Sequence, residues 1–179
     1  MDNTEKLKEL KEELRFPAYD AFPDIELYMD QVLDFLSRSR SSLRDDDKLS
    51  SAMVNNYIKA ELLPRARGKK YSREHLVHLA IILRIKQVLS VKDTGKLISA
   101  YKQDKSDEEL FDGFRDIIGR RIDDIISEVL SADDALADIA MNLAVQSYLS
   151  KIGCEYIIDQ IIEREYRGET VQDSHTEKK

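Results

Sequence analysis

Apolar positions recur at three- and four-residue steps along most of the chain, the spacing that places them on one face of a helix. Residues 2–14 read as a charged helical segment broken before Pro17. Asp24, following Pro23, opens a predicted helix over 24–43 with an apolar stripe of Ile25, Tyr28, Met29, Val32, Leu33 and Leu36. Residues 44–48 are a polar turn, after which Ser50 or Ser51 can cap a short helix running to about Ala60. In that helix Val54, Tyr57 and Ile58 fall together, while Ala52, Asn55, Asn56 and Lys59 occupy the opposite arc.

Leu62-Leu63-Pro64 ends this helix, and Arg65-Ala66-Arg67-Gly68-Lys69-Lys70-Tyr71 follows as a glycine-centred basic turn with the pattern of a short β-hairpin wing. Ser72 caps an apolar helix over 72–89, with Leu76, Leu79, Ala80 and Leu83 on one stripe and Val77, Ile81, Ile85 and Val88 on another, so it should be buried on two sides as a strut. Ser90 begins the next helix, packed through Val91, Thr94, Leu97, Ile98 and Tyr101. Two long helices, 107–130 and 133–166, form a hairpin with more apolar surface than one neighbour can cover, and its spare face calls for the N-terminal helices, a second subunit or both. Residues 167–179 read as a disordered tail. The organisation expected is an acidic N-terminal helical segment (1–49), a central unit (50–105), a helical dimerisation or effector region (106–166) and the tail.

Composition supports a helical body: 42% of residues are apolar, and there are only six glycines and three prolines. No run approaches the roughly 20 apolar residues that span a bilayer. The first fifteen residues, with five acids and four bases, lack the apolar centre of a signal peptide, so a cytoplasmic protein without membrane contact is expected. Cys154 is the only cysteine, which excludes a disulfide or thiolate cluster within one chain and leaves it as a small buried apolar residue. The net charge of −7 is unevenly distributed. Residues 1–49 carry 8 bases and 13 acids, residues 50–105 carry 12 bases and 4 acids, and residues 106–179 carry 8 bases and 18 acids. A local excess of +8 inside an acidic chain is what a polyanion-binding surface needs, unless the blocks neutralise one another across the fold.

The best-specified enzyme signatures are missing: there is no Gly-rich phosphate loop, no Gly-x-Ser-x-Gly elbow and no His-Glu-x-x-His. The expectation is a protein without catalysis and without a cofactor. His75 and His78, three apart on one helix, would hold a metal only with a third ligand from elsewhere, and no metal is assigned. Asp123-Asp124 and Asp133-Asp134 point about 100° apart on a helix and read as solvated positions. A pocket among Phe111, Phe114, Tyr148 and Tyr156 is a third possibility, against the plainer reading of ordinary core.

The helix at 50–60 has an unusual outer face, polar but thinly charged. Asparagine can bond the adenine edge in the major groove and lysine can reach phosphate or guanine, while basic side chains on an adjacent turn can grip the sugar-phosphate backbone. The run Leu49 to Lys59 with its Met53-Val54-Asn55-Asn56-Tyr57, then Leu62-Leu63-Pro64, the basic turn, Lys70-Tyr71-Ser72-Arg73-Glu74-His75-Leu76 and Leu89-Ser90-Val91 resembles, in order and spacing, the MerR-family DNA-binding domain. Three positions depart from that family: Asn55 stands where an arginine is usual, Asn56 where a tyrosine is frequent, and Glu61 where glycine is usual. More closely, residues 20–130 resemble a bacterial family known only as domain of unknown function 1836, which supplies no activity.

The MerR-like resemblance implies a mainly α fold: a winged helix-turn-helix with its first helix within 24–43, a short basic β-hairpin wing, then a C-terminal helical hairpin. It implies a transcriptional regulator that binds duplex DNA as a homodimer through its C-terminal helices. The candidate contacts are Ser51, Ala52, Asn55, Asn56 and Lys59 on the recognition helix, Arg65, Arg67, Lys69, Lys70 and Tyr71 on the wing, and Arg73 beyond it. The alternative is a helical interaction module that keeps the fold and holds an acidic protein on its basic face.

Overall fold

The computed structural model describes residues 3–38, 49–131 and 136–167. Among them the chain forms seven α-helices and one two-stranded antiparallel sheet: α1 (Asn3–Leu14), β1 (Leu27–Tyr28), α2 (Met29–Arg38), α3 (Ser51–Lys59), β2 (Lys70–Tyr71), α4 (Arg73–Ile85), α5 (Val91–Lys102), α6 (Asp107–Leu130) and α7 (Leu136–Tyr166). A 3-10 turn at Tyr19–Ala21 lies between α1 and β1. The polar turn at 44–48, the acid pair at 133–134 and all but the first residue of the expected tail lie outside the described residues.

Serines start four of these helices. The Ser50 hydroxyl accepts the Met53 N–H at 3.3 Å, Ser90 accepts the Asp93 N–H at 3.1 Å, and Ser106 accepts the Glu109 N–H at 3.2 Å. Glu109 returns a 2.8 Å bond to the Ser106 N–H, completing a capping box. At the head of α4 His75 replaces the usual Glu or Gln: its Nδ1 accepts the Ser72 N–H at 3.1 Å and lies 2.8 Å from the Ser72 hydroxyl.

Helix α4 is the centre of the molecule. His75 through Leu83 are buried without interruption, with Leu76, Val77, Leu79 and Ile82 fully enclosed. Helices α2 and α6 and strand β2 all pack on it, and α6 in turn carries α1. The corner between α4, α6 and the N-terminal segment is aromatic. The Phe111 ring meets Phe22 edge-on at 5.0 Å and Phe16 at 5.8 Å, and Phe16 meets Phe114 at 5.5 Å. The helix expected over 72–89 ends at Ile85, and Val88 stands half exposed in the turn that follows.

The expected helix over 24–43 starts late. Leu27 and Tyr28 form strand β1 and pair with Tyr71 and Lys70 of β2. Leu27 is buried, but Ile25 and Tyr28, expected on a helical stripe, are 67% and 52% exposed. Two competing bonds decide this: β2 offers a strand partner, and the Gln31 side chain takes the Tyr28 N–H at 2.9 Å, which starts α2 at Met29. From there Val32 and Leu36 are buried as the spacing required.

Helix α3 ends in a Schellman motif. The Leu62 N–H bonds the Tyr57 carbonyl at 2.9 Å and the Glu61 N–H bonds the Ile58 carbonyl at 3.2 Å, with Glu61 at φ +59. Glycine is the residue this position favours, because a side chain in the left-handed region costs about 1–2 kcal/mol, of which glycine's extra unfolded-state freedom returns about half. Glu61 is exposed, and its side chain forms no hydrogen bond or ion pair with the described residues. Glu61→Gly is therefore expected to stabilise the protein by about 0.5–1 kcal/mol, a rise of about 1–4 °C in melting temperature. A calorimetric scan checks this, and a lower melting temperature would show that the glutamate side chain contributes to the fold.

Candidate nucleic-acid interface

Burial of Val54 and Tyr57 fixes the rotation of α3, and the opposite face follows from it. Ser51, Ala52, Asn55, Asn56 and Lys59 are all exposed. The chain then descends through buried Leu62 and Leu63 into a minimal hairpin. The Arg67 and Lys70 backbones exchange hydrogen bonds at 2.9 and 3.2 Å across Gly68 and Lys69, both with positive φ (+56 and +66). Two consecutive left-handed residues between bonded ends make a type I′ turn, the form that matches the twist of a hairpin. The basic turn expected as the wing is thus closed by a single β-bridge, and its outgoing strand β2 pairs with β1 rather than with the residues before the turn.

The structure divides the predicted contact residues into two groups. Lys59, Arg65, Arg67 and Lys69 are exposed and form no ion pair with the described residues. Arg65 borders the same groove as Asn55 and Lys59, so the start of the wing and the outer face of α3 adjoin. Lys70 sits 3.8 Å from Glu26 and over the Tyr28 ring at 5.7 Å. Tyr71 is only 4% exposed, packs edge-on against His75 at 5.5 Å, and has its phenol pushed up by burial. Arg73 donates from Nε to the Phe22 carbonyl at 3.0 Å, lies 3.6 Å from Asp24 and covers the Tyr19 ring. Tyr71 and Arg73 are therefore fastened to the fold, and the free positive charge belongs to Lys59, Arg65, Arg67 and Lys69.

The two histidines of α4 face different partners. Nε2 of His78 donates to Asp107 Oδ1 at 2.6 Å, and Lys102 Nζ donates to the same oxygen at 2.6 Å. Burial pushes the Asp107 carboxyl up, but the bonds and charges of Lys102 and His78 outweigh it and hold the group below its usual range. Sequence spacing paired His78 with His75 and missed this node. Its only signal was an acid in the first turn of α6, right after the Ser106 cap. Among the described residues no three His, Cys, Asp or Glu side chains converge on a metal-sized site.

Other sequence candidates separate in space. Phe111 and Phe114 belong to the core cluster, whereas Tyr148 and Tyr156 are 65% and 64% exposed on α7, so the four aromatics do not line a common pocket. Asp123 pairs with Lys11 at 2.5 Å and Asp124 with Arg121 at 3.5 Å, in keeping with solvated positions. Cys154 is half-buried, and burial raises its thiol further. No helix of the described residues is long and apolar enough to cross a membrane.

Residues 17–117 match the family described as Domain of unknown function (DUF1836). The chain belongs to this family. No curated protein and no solved structure matches it. The DUF1836 region runs from the aromatic corner at Pro17 through the wing and α4 into the first half of α6, so α3, the wing and the His78 node all lie inside it. Helix α7 lies beyond it.

His75 links the core to the wing and gives this region a pH dependence. Burial pushes its imidazole below the ordinary value of 6.5, against the opposing pull of the Arg65 carbonyl and Glu74. A histidine whose folded value is depressed contributes stability that is complete above its unfolded value. That stability is lost as pH falls from about 6.5 through the lowered folded value. His75→Gln keeps a capping-box residue at this position without a titrating ring. Melting temperature measured from about pH 7 to about pH 5 is expected to fall in the wild type and to change less in the variant. Parallel curves for the two proteins would remove His75 as the cause.

Proposed function

We propose that this chain is a transcriptional regulator of MerR-like type that binds duplex DNA as a homodimer. In this reading α3 enters the major groove, and Asn55 and Asn56 read base edges with Ser51 and Ala52 beside them. Lys59, Arg65, Arg67 and Lys69 neutralise phosphates. The observation that carries it is an exposed, uncharged polar helix face adjoining cations that no described acid neutralises. The order helix α2, helix α3, basic turn and buried strut α4 supports it. Lys70, Tyr71 and Arg73 serve by holding the turn in place.

The second copy is assigned to α7. Met141, Val145, Tyr148, Leu149, Ile152 and Tyr156 form one uninterrupted stripe along this helix, each 46–65% exposed. The opposite side of the helix, with Ile158 buried and Ile161 and Ile162 half-buried, lies against the body, where α7 contacts α5 and α6. The stripe leaves on the order of 600 Å² of side chain to water, near the roughly 800 Å² per partner of a standard interface. Its midpoint lies between Tyr148 and Leu149, so an antiparallel two-fold pairing sets Met141 of one copy against Tyr156 of the other. In sedimentation the wild type is expected as a dimer and Ile152→Glu as a monomer of unchanged helix content; a monomeric wild type at micromolar concentration overturns the assignment.

The DNA reading is tested by selection from a random duplex library at two salt concentrations. The comparison protein carries Arg65→Ala, Arg67→Ala and Lys69→Asn, asparagine being chosen because position 69 has positive φ. The wild type is expected to enrich a palindrome, and the triple variant to lose about one unit of salt slope per cation removed. Absence of retention at low salt, or equal retention of the variant, would sink the DNA reading and favour an acidic protein partner.

A further inference from the structure

We infer that the groove between α3 and α5 is a binding site for a small organic anion with an apolar body. The groove measures about 800 Å³, within the size range of ligand pockets. Its walls come from the second half of α3, the descent from Glu61 to Arg65, and α5. Lys59, Arg65 and Lys102 border it against one acid, Glu61. Lys59 and Arg65 form no ion pair with the described residues, whereas Lys102 is held by Asp107.

The apolar part of the lining is Ile58, Leu62, Leu63 and Ile98. Its shape depends on Gly95, where a Cβ would stand 2.8 Å from Leu62 Cδ1, so a larger residue here would push the Leu62 side chain aside. His78 also lines the groove. Its side chain is 91% buried (9% exposed), one nitrogen is committed to Asp107, and Nδ1 is buried without a hydrogen-bond partner among the described residues. Ser99 adds an exposed hydroxyl-bearing residue at the α5 rim. Unpaired cations at the mouth, an apolar floor and a buried polar atom without a partner are the elements of a ligand site. A duplex backbone has no use for the apolar floor.

Asn55 and Lys59 belong both to this groove and to the proposed DNA face, so an anion bound here would compete with DNA. That regulatory consequence rests on the DNA reading; the site does not.

The probe is 1-naphthyl phosphate, titrated calorimetrically at low salt into the full chain, with inorganic phosphate and 1-naphthol as comparators. The expected result is saturable binding at one site per chain, at least about tenfold tighter than either comparator. Lys59→Ala and Arg65→Ala are each expected to weaken it about tenfold, and Ser99→Phe, an exposed substitution that fills the groove, to abolish it. Arg67→Ala lies on the turn outside the groove and is expected to leave probe binding unchanged while weakening DNA. Equal affinity for naphthyl phosphate and phosphate, equal damage from Arg67→Ala and Arg65→Ala, or full binding by Ser99→Phe would each overturn the assignment, whatever the fate of the DNA reading.

Discussion

The structure depends on one helix whose middle water does not reach. Nine consecutive residues of α4, His75 to Leu83, are buried, which leaves that helix no solvent face and requires neighbours on every side. The N-terminal segment, α2, β2 and α6 supply them. Because the head of α4 is fixed by the Ser72 and His75 bonds, the wing that precedes it is fixed as well. Because Arg73 is tied to Phe22 and Asp24, so is the strand that supports the wing. Position is thereby transmitted from core to surface: α3 and the hairpin are short, exposed elements, yet each is anchored at its base by buried side chains, Val54 and Tyr57 in one and Tyr71 in the other.

Much of this was legible in the sequence. Serine before an apolar periodic run located the starts of α3, α4 and α5, because capping is a local interaction between residues three apart. The rotation of α3 was legible for the same reason, since Val54 and Tyr57 are spaced for one face. The β1 strand was not, because Leu27 and Tyr28 are extended by a partner more than forty residues away, and periodicity does not see such a partner. The split among the basic residues was equally hidden. Composition counts Lys69 and Arg73 alike, and only the fold shows that one is exposed and the other is committed to the Phe22 carbonyl. The Lys102, His78 and Asp107 node joins α5, α4 and α6, and no single stretch of sequence contains it.

Charge and apolar surface are segregated along the chain in a way that suits two different contacts. The central block is basic in sequence, and in space four of its cations without an ion pair among the described residues, Lys59, Arg65, Arg67 and Lys69, lie at the end of α3 and on the wing. The apolar excess of the last third emerges as a stripe on α7, outside the DUF1836 region. In the proposed reading the first is a recognition surface within the family region and the second an assembly surface beyond it, the two faces that a symmetric regulator requires.

The central claim is that α3 and the wing together form the surface that meets DNA. The most direct measurement is the change in backbone amide resonances of the isotope-labelled protein when a mixed-sequence duplex is added at low salt. The account predicts shifts concentrated in Ser51–Lys59 and Arg65–Lys69, with α1, α6 and α7 unchanged. Shifts centred on α1, α6 or α7, or no shifts at all, would contradict it.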